Sequence, residues 1–173
     1  MASTDRVKVT RTYLEMRERP RTSAIDWPAG VTLQREAPCS VALARALYAA
    51  VGRAYHWYDR DAWTDERLAT HLSQPNVETW VLRDDSRPIG YFELLREPGG
   101  STEIVYFGLV QDAHGRGLGR RLLEGAIAAG FGEGGSRVWL HTCTLDHPAA
   151  LPNYQARGFV PFRTERYETI RAL

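Results

Sequence analysis

A glycine-rich turn near the middle of the chain has the residue types of an anion-binding loop. The run from His114 to Gly119 reads HGRGLG, follows an apolar strand-like stretch and leads into apolar residues at helical spacing. Glycines let the backbone approach a ligand closely, and the free amides and dipole at a helix start favour a phosphate. Arg116 and Arg120 add positive charge. The pattern predicts a site for an anionic, phosphate-bearing cofactor.

Two common nucleotide-binding patterns do not fit this loop. A dinucleotide fingerprint that starts at Gly115 needs glycine at position 120, where the chain has Arg120. A P-loop needs a Gly-Lys pair, and the sequence contains none. The residues therefore exclude both a Rossmann-type dinucleotide site and a P-loop nucleotide site.

Two glutamates lie on neighbouring predicted strands close to the loop. Glu103 is on the strand that runs into the glycines, and Glu93 is on the strand before it, across a turn centred on Pro98. With an even register they share a face nearly opposite each other, whereas a one-residue slip separates them. Two carboxylates that close repel, which raises the pKa of one and suits a general base near neutral pH. The alternative for Glu103 is a solvated hairpin glutamate.

The loop resembles the acyl-coenzyme A loop of the GNAT superfamily of N-acetyltransferases, whose pattern is Arg/Gln-x-x-Gly-x-Gly/Ala between a strand and a helix. His114 stands where the family usually has Arg or Gln. A second run, Asn153 to Phe159 (NYQARGF), is similar to the family's Leu-Tyr-x-x-x-Gly-Phe helix end. His147 occupies a position where the family often carries Asn. The resemblance covers residues 31–165, most firmly 88–160.

The resemblance implies an α/β fold with a mixed, largely antiparallel sheet flanked by helices and a splayed central strand that binds acyl-CoA. The implied activity is N-acetyl transfer from acetyl-CoA to a primary amine, by direct transfer in a ternary complex. The acceptor is then a small-molecule or peptide amine. The alternative is a non-catalytic acyl-CoA-binding sensor or regulatory module. Both need the glycine loop, but only the enzyme needs a base and an acid, so the presence of Glu103 and Tyr154 favours the enzyme.

The resemblance also assigns roles to individual residues. The segment TEIVYF around Glu103 is similar to the Ala-Glu-Ile-Val-Phe strand of the histone-acetylating branch, in which the glutamate is the base; Glu93 is the alternative base. Tyr154 matches the tyrosine that protonates the leaving thiolate, although a tyrosine here is also common in a core, and Pro152 is expected to kink or delay its helix. A backbone amide at Leu109 or a neighbour, where the strand should splay or bulge, is expected to stabilise the oxyanion. The expected cofactor contacts are Leu109, Val110, His114, Gly115, Arg116, Gly117, Leu118, Gly119, Arg120 and Tyr154.

An aromatic and acidic stretch precedes the second helix, where the family places its acceptor-binding loop. Aromatic rings and carboxylates there could hold a cationic amine by cation–π and Coulomb attraction. The alternative is a loop whose aromatic side chains plug the edge of the core. The expected acceptor contacts are Tyr55, Trp57, Tyr58 and Asp59.

Bulk properties restrict the other classes of function. The net charge is +1 with both signs interspersed, which indicates no nucleic-acid partner. No apolar run approaches the ~20 residues of a membrane span. Cys39 and Cys143 are far apart and lack a zinc or CxxC spacing, which favours a reduced cytoplasmic location. No histidine pair shows an HExxH or i, i+4 spacing, so no metal is expected. We expect a monomer or a homodimer.

The elements that must position these residues follow from hydrophobic periodicity. Residues 1–30 are treated as an N-terminal extension with one possible added strand near residues 9–16, and residues 31–173 as a single acetyltransferase domain. Pro38 is expected to open a helix that ends near Gly52, and Thr64 to cap the next helix. The predicted strands are 31–36, 78–83, 88–96, 102–110 and 136–144, and the predicted helices include 65–72 and one that starts at residue 118.

Overall fold

The computed structural model describes residues 6–21 and 23–170. The strands are β1 (Arg6–Met16), β2 (Val31–Glu36), β3 (Val77–Asp84), β4 (Arg87–Arg96), β5 (Ser101–Leu109), β6 (Arg137–Cys143) and β7 (Val160–Ile170). The α-helices are α1 (Val41–Gly52), α2 (Asp65–Leu72), α3 (Leu118–Phe131) and α4 (Ala150–Ala156). Residues 1–5, 22 and 171–173 of the predicted segments lie outside the described residues.

Over the described ranges the strands form a seven-stranded sheet in the order β2-β3-β4-β5-β6-β1-β7. Strands β3 to β5 form an antiparallel meander, as predicted, and β2 pairs antiparallel with β3. Strands β5 and β6 run parallel, and β1 pairs antiparallel with both β6 and β7. The prediction of a mixed, largely antiparallel sheet flanked by helices is confirmed. No helix within residues 6–21 and 23–170 is long and apolar enough to cross a membrane.

Strand β1 lies inside the sheet, between β6 and β7. Its residues Leu14 and Met16 are buried, because one face of the strand contributes to the same core as the meander. The sequence indicated a strand here but gave no sign of its place, since pairing partners more than a hundred residues away leave no local pattern. The segment treated as an extension therefore supplies the strand that pairs with the outer edge of β6.

Capping side chains set the starts of α1 and α2, and the starts of α1 and α4 differ from the predictions. Helix α1 begins at Val41 rather than at Pro38, because the Ser40 hydroxyl accepts the Leu43 amide at 3.2 Å. Thr64 caps α2 in the same way, as predicted. Pro152 does not kink or delay α4. It occupies the third helical position, where a backbone N–H has no partner within the helix, so its missing donor costs nothing.

Helix α3 packs one face onto β4 and β5, as its apolar spacing predicted. Each large side chain on this face contributes on the order of 1.5–3 kcal/mol through burial. This packing fixes the first turn of the helix against the end of β5, where the glycine loop lies. The buried residues at the predicted positions are Leu118, Leu122, Leu123, Ala126, Ile127 and Phe131.

Candidate active site

A cleft opens where β5 and β6 separate. The two strands are paired from Ser101 and Arg137 to Glu103 and Trp139. Just beyond, Val105 is an extra residue in β5, since Glu93 pairs with Tyr106 but the next residue of β4 pairs with Ile104. Such a bulge bends its strand, and β5 turns away from β6. The splayed central strand is thus confirmed, with the bulge four residues earlier than the predicted position at Leu109.

The cleft has a volume of about 1030 Å³. This is at the upper end of the ~300–1,000 Å³ typical of ligand pockets. One wall is formed by the end of β5, the glycine loop and the starts of α3 and α4, and we call it the cofactor wall (residues 107–109, 114–120 and 152–154). The other is formed by residues 55–59, which we call the acceptor wall. The floor is the part of β6 from Leu140 to Cys143.

The cofactor wall presents backbone rather than side chains. Gly115 and Gly117 have φ angles of +78° and +71°, a region that side chains other than glycine rarely adopt. A Cβ built on Gly115 would meet nothing within 4 Å, so this face of the loop is open to the cleft. Gly117 caps α3 without a side-chain hydrogen bond, which leaves the first amides of the helix available to an anion. The predicted residues that line this wall are Leu109, His114, Gly115, Gly117, Leu118, Gly119, Arg120 and Tyr154.

Two predicted cofactor residues, Val110 and Arg116, are not among those that line the cleft. The Val110 amide donates to the carbonyl of Ile89 at 2.9 Å, so it belongs to the sheet. The Arg116 guanidinium donates to Asp84 at 2.8 Å, on the outer side of the loop. The Val110 backbone amide and the Arg116 guanidinium therefore have partners outside the cleft.

The amide of Leu109 points into the cleft. Successive amides of a strand point to opposite edges, and the next amide, that of Val110, is turned to β4. The Leu109 carbonyl accepts a hydrogen bond from Nε2 of His114 at 3.2 Å. His114 is thus occupied with the strand end, and its ring stacks on His147 with 5.0 Å between ring centroids. This places an outward-facing amide where the oxyanion donor was predicted.

Tyr154 lies on α4 with its ring between Phe107 and Phe159, each edge-on at 6.1 Å between centroids. The side chain is buried, yet it lines the cleft. Its phenolic oxygen has no hydrogen-bond partner within the part of the chain that the structure describes. Burial raises the pKa of Tyr154 well above its usual value, so the phenol stays protonated near neutral pH. Tyr154 is therefore both a packed core residue and a cleft residue, whereas the sequence presented these as alternatives.

Glu93 is held in an ion pair and is not opposite Glu103, in contrast to the prediction. Both of its oxygens accept from the Arg60 guanidinium at 2.7 Å, and His71 Nε2 lies 2.8 Å from Oε1. Burial by itself favours the protonated acid. The hydrogen bonds and charges of Arg60 and His71 outweigh it and hold the pKa of Glu93 below its usual value. Glu93 pairs with Tyr106, and Glu103 pairs with Leu95, two residues further along β4, so the two carboxylates share a face but are diagonal rather than opposite.

Glu103 lies at the last residue pair before the strands diverge, opposite Leu95 of β4 and Trp139 of β6. It is half-buried and shares the Glu93 face of the sheet, but it is not among the residues that line the cleft. Burial, with smaller contributions from the charges of Glu97 and Glu93, raises the pKa of Glu103 to about 7. One carboxylate with a raised pKa was expected, although from repulsion rather than burial.

All four predicted acceptor residues line the cleft. The Asp59 carboxylate accepts a hydrogen bond from the Tyr48 hydroxyl at 2.7 Å and another from the Tyr106 hydroxyl. Trp57 packs on Tyr48, Tyr91 and Tyr106, so its ring also closes the edge of the core. Asp59 therefore fits the prediction of an acceptor contact, whereas Trp57 also fits the alternative of an aromatic side chain that plugs the edge of the core.

From the sequence, the histidines were tested only for a metal-ligand spacing and the cysteines only for a zinc or CxxC spacing, yet His141 and Cys143 both line the cleft. Desolvation by the cleft walls and the charge of Arg11 lower the pKa of His141, so its imidazole is neutral near pH 7. Strand alternation from Val138 to Cys143 was the available signal, because it turns His141 away from the core. Within the described residues, no group of three His, Cys, Asp or Glu side chains is placed to hold a metal ion.

A family model described as "Acetyltransferase (GNAT) family" matches residues 44–159, more than half of the chain. That range contains the glycine loop, the bulged strand and Tyr154. Among curated proteins, a mycothiol acetyltransferase from Jonesia denitrificans is 31% identical over 146 residues, which cover 78% of this chain and 44% of that protein. The chain thus spans less than half the length of this relative.

Solved structures share the fold. A GCN5-related N-acetyltransferase from Sphaerobacter thermophilus has a TM-score of 0.70 at 19% identity, covering 95% of this chain and 53% of that one. An aminoglycoside acetyltransferase from an uncultured soil metagenomic sample has a TM-score of 0.63 at 16% identity, covering 75% of this chain and 88% of that one.

Proposed function

The chain belongs to the GNAT acetyltransferase family, and we propose that it transfers an acetyl group from acetyl-CoA to a primary amine by direct transfer in a ternary complex. The observation that carries this proposal is the cleft between β5 and β6, which is bordered by open backbone amides at one end and by a carboxylate-bearing wall at the other. An anionic cofactor and a cationic amine can enter such a cleft from opposite sides.

The cofactor wall suits the phosphate end of acetyl-CoA. The amides of Gly115 to Gly119 and the first turn of α3 offer donors, and Arg120 lines the same wall. Arg120 pairs with Glu124 at 3.0 Å on an exposed surface, a weak interaction that a phosphate can replace. The pantetheine arm then follows the unpaired edge of β5, and the thioester carbonyl lies near the Leu109 amide, which stabilises the oxyanion.

The amine nitrogen must lose two protons and the thiolate must gain one. The ammonium gives its first proton to the base, and the neutral amine attacks the thioester carbon. The tetrahedral intermediate then breaks its C–S bond, the leaving thiolate takes a proton from Tyr154, and the second proton lost by the nitrogen restores the Tyr154 phenol. Glu103 is the proposed base, supported by its pKa of about 7 and its position below the start of the cleft. Since it does not line the cleft, it acts through one water, a common arrangement for general bases. Neutral His141 is the second candidate for this role.

The acceptor wall suits a cationic amine. The exposed Asp59 carboxylate and the rings of Tyr55 and Tyr58 face the cleft, and both attract an ammonium. The names of the relatives, a mycothiol acetyltransferase and an aminoglycoside acetyltransferase, differ in acceptor. The wall itself therefore supports an amine acceptor with positive charge rather than either of those compounds.

The test is thiol release from acetyl-CoA with a panel of primary amines, among them diamines, amino sugars, amino acids and peptide N-termini. An acceptor-dependent rate well above acetyl-CoA hydrolysis is the expected result. Acetyl-CoA binding without turnover for any amine would instead favour the non-catalytic acyl-CoA-binding module. Absence of binding would remove both functions.

A further inference from the structure

The acceptor wall is attached to the sheet through one buried arginine. Arg60 directly follows Asp59, and its guanidinium makes the two 2.7 Å hydrogen bonds to Glu93 of β4. The same guanidinium lies over the rings of Trp63 and Tyr106, at 4.9 and 4.5 Å from their centroids. A bidentate pair enclosed by two aromatic rings has little freedom to reorient. Arg60 thereby fixes the backbone on one side of Asp59.

The Asp59 side chain is fixed independently by two tyrosines. Tyr48 of α1 donates to one carboxylate oxygen, and Tyr106 of β5 donates to the other. The Tyr48 oxygen also accepts the backbone amide of Arg60 at 3.1 Å. Through these bonds Asp59 is linked to α1, β4 and β5 at once, although it lies in a loop.

The charge of Asp59 is left for a ligand. Across the described residues, its carboxylate has hydroxyl donors but no ion pair, whereas the neighbouring Asp61 pairs with Arg53 at 2.8 Å. Two neutral hydroxyls orient a carboxylate without cancelling its charge. The carboxylate is exposed to the cleft, so an incoming ammonium meets a fixed negative charge.

We infer that Glu93, through Arg60, is a positioning residue that holds Asp59 in the cleft, and that Asp59 so held selects acceptors with a second ammonium beside the amine that is acylated. The inference rests on the proposed function and specifies its substrate class. Glu93 touches neither the cleft nor any reacting atom. Its main effect on the reaction therefore passes through the acceptor wall, and its charge makes only a smaller contribution to the pKa of Glu103.

The test compares Glu93→Gln with Asp59→Asn and with the double variant, using 1,4-diaminobutane and butylamine as paired acceptors. Glu93→Gln is expected to raise KM for the diamine by roughly tenfold with kcat nearly unchanged, the signature of lost ground-state binding. The preference for the diamine over butylamine should shrink accordingly. In the Asp59→Asn background the Glu93 substitution should add nothing, because both changes remove the same interaction.

Glu78→Gln is the matched control. Glu78 is also buried in the sheet and pairs with an arginine, Arg96, at 3.0 Å, but it does not line the cleft. It should lower the melting temperature without changing the acceptor preference. Tyr48→Phe should reduce the diamine preference less than Glu93→Gln does. Tyr48 does not line the cleft, and loss of its hydroxyl removes one hydrogen bond to Asp59 without breaking the ion pair of Arg60 with Glu93.

Hydrogen exchange at residues 53–63 provides a readout that does not need turnover. Faster exchange there in Glu93→Gln than in Glu78→Gln supports the role of Glu93 in holding the acceptor wall, even if no amine in the panel is acetylated. In that case the proposed function alone fails. Unchanged exchange, additive effects of the two substitutions, or a loss of kcat with unchanged KM would each overturn the inference.

Discussion

The two walls of the cleft are built in different ways. The donors of the cofactor wall come from a contiguous run, Gly115 to Gly119, whose backbone amides are set by positive φ angles and by the start of α3. The acceptor wall is a loop whose functional carboxylate is held by side chains from α1, β4 and β5. A site made of backbone amides needs open space above the backbone, so one added side chain there abolishes binding. A site made of a side chain depends on the residues that hold that side chain, so loss of one of them weakens binding without abolishing it.

The largest effect is expected on the cofactor wall from Gly115→Val. The substitution forces a branched residue to a φ of +78° and places its side chain in the open cleft, so coenzyme A binding should be lost. Gly99→Val is the matched control, because Gly99 has φ +80°, equally open surroundings and a place in the turn after β4. Both variants carry similar strain. Thermal shift with coenzyme A should therefore disappear in the first and persist in the second.

Glu103→Gln should lower kcat by ~10²- to 10⁴-fold, as expected for loss of a general base. In the unsubstituted protein the rate should rise with pH through about 7 as Glu103 ionises. That limb should vanish in the variant. If His141→Gln removes the limb instead and Glu103→Gln leaves it, the base is the histidine.

The same carboxyl gives a stability test with a defined sign. The pKa of Glu103 is about 7 in the folded chain and 4.5 in its usual state, so the folded protein retains a proton that the unfolded chain releases. Stability is unaffected below pH 4.5 and falls as the pH rises towards 7 and beyond. Glu103→Gln should therefore melt at a higher temperature than the parent at pH 8, with the gap narrowing at pH 5. An equal gap at both values would show that this carboxyl titrates normally.

Tyr154→Phe should reduce kcat by about 10²-fold at most, since solvent can replace part of the proton donation. The ring keeps its contacts with Phe107 and Phe159, so the melting temperature should change little. The loss should be greatest at high pH, where water is the poorer acid. A destabilised variant with a normal rate per folded molecule would assign the tyrosine to the core alone.

The smallest effect is expected from Arg116→Ala. Because this guanidinium pairs with Asp84 and does not line the cleft, the affinity for coenzyme A should change by less than about threefold. Arg120→Ala should weaken binding more, since Arg120 lines the cofactor wall. The reverse order, measured by calorimetry, would mean that the loop binds phosphate with its other side.

The same contrast explains what the sequence predicted. The glycine loop, the face of α3 and the strands of the meander depend on neighbours in the chain, and all were predicted from local pattern. The bulge at Val105, the ion pair of Glu93 with Arg60 and the place of β1 between β6 and β7 depend on residues distant in sequence. The hydrophobic periodicity of the sequence does not predict these three features. Glu93 was accordingly considered as the alternative base, because its partner, Arg60, lies 33 positions away.

The most direct test of two independently built walls is the dissociation constant for acetyl-CoA, measured by calorimetry for the parent, Gly115→Val and Glu93→Gln. We expect no measurable binding for Gly115→Val and an unchanged dissociation constant for Glu93→Gln, whose defect is confined to the acceptor wall. Equal weakening in both variants would contradict it, because the ion pair of Glu93 would then support the cofactor wall as well.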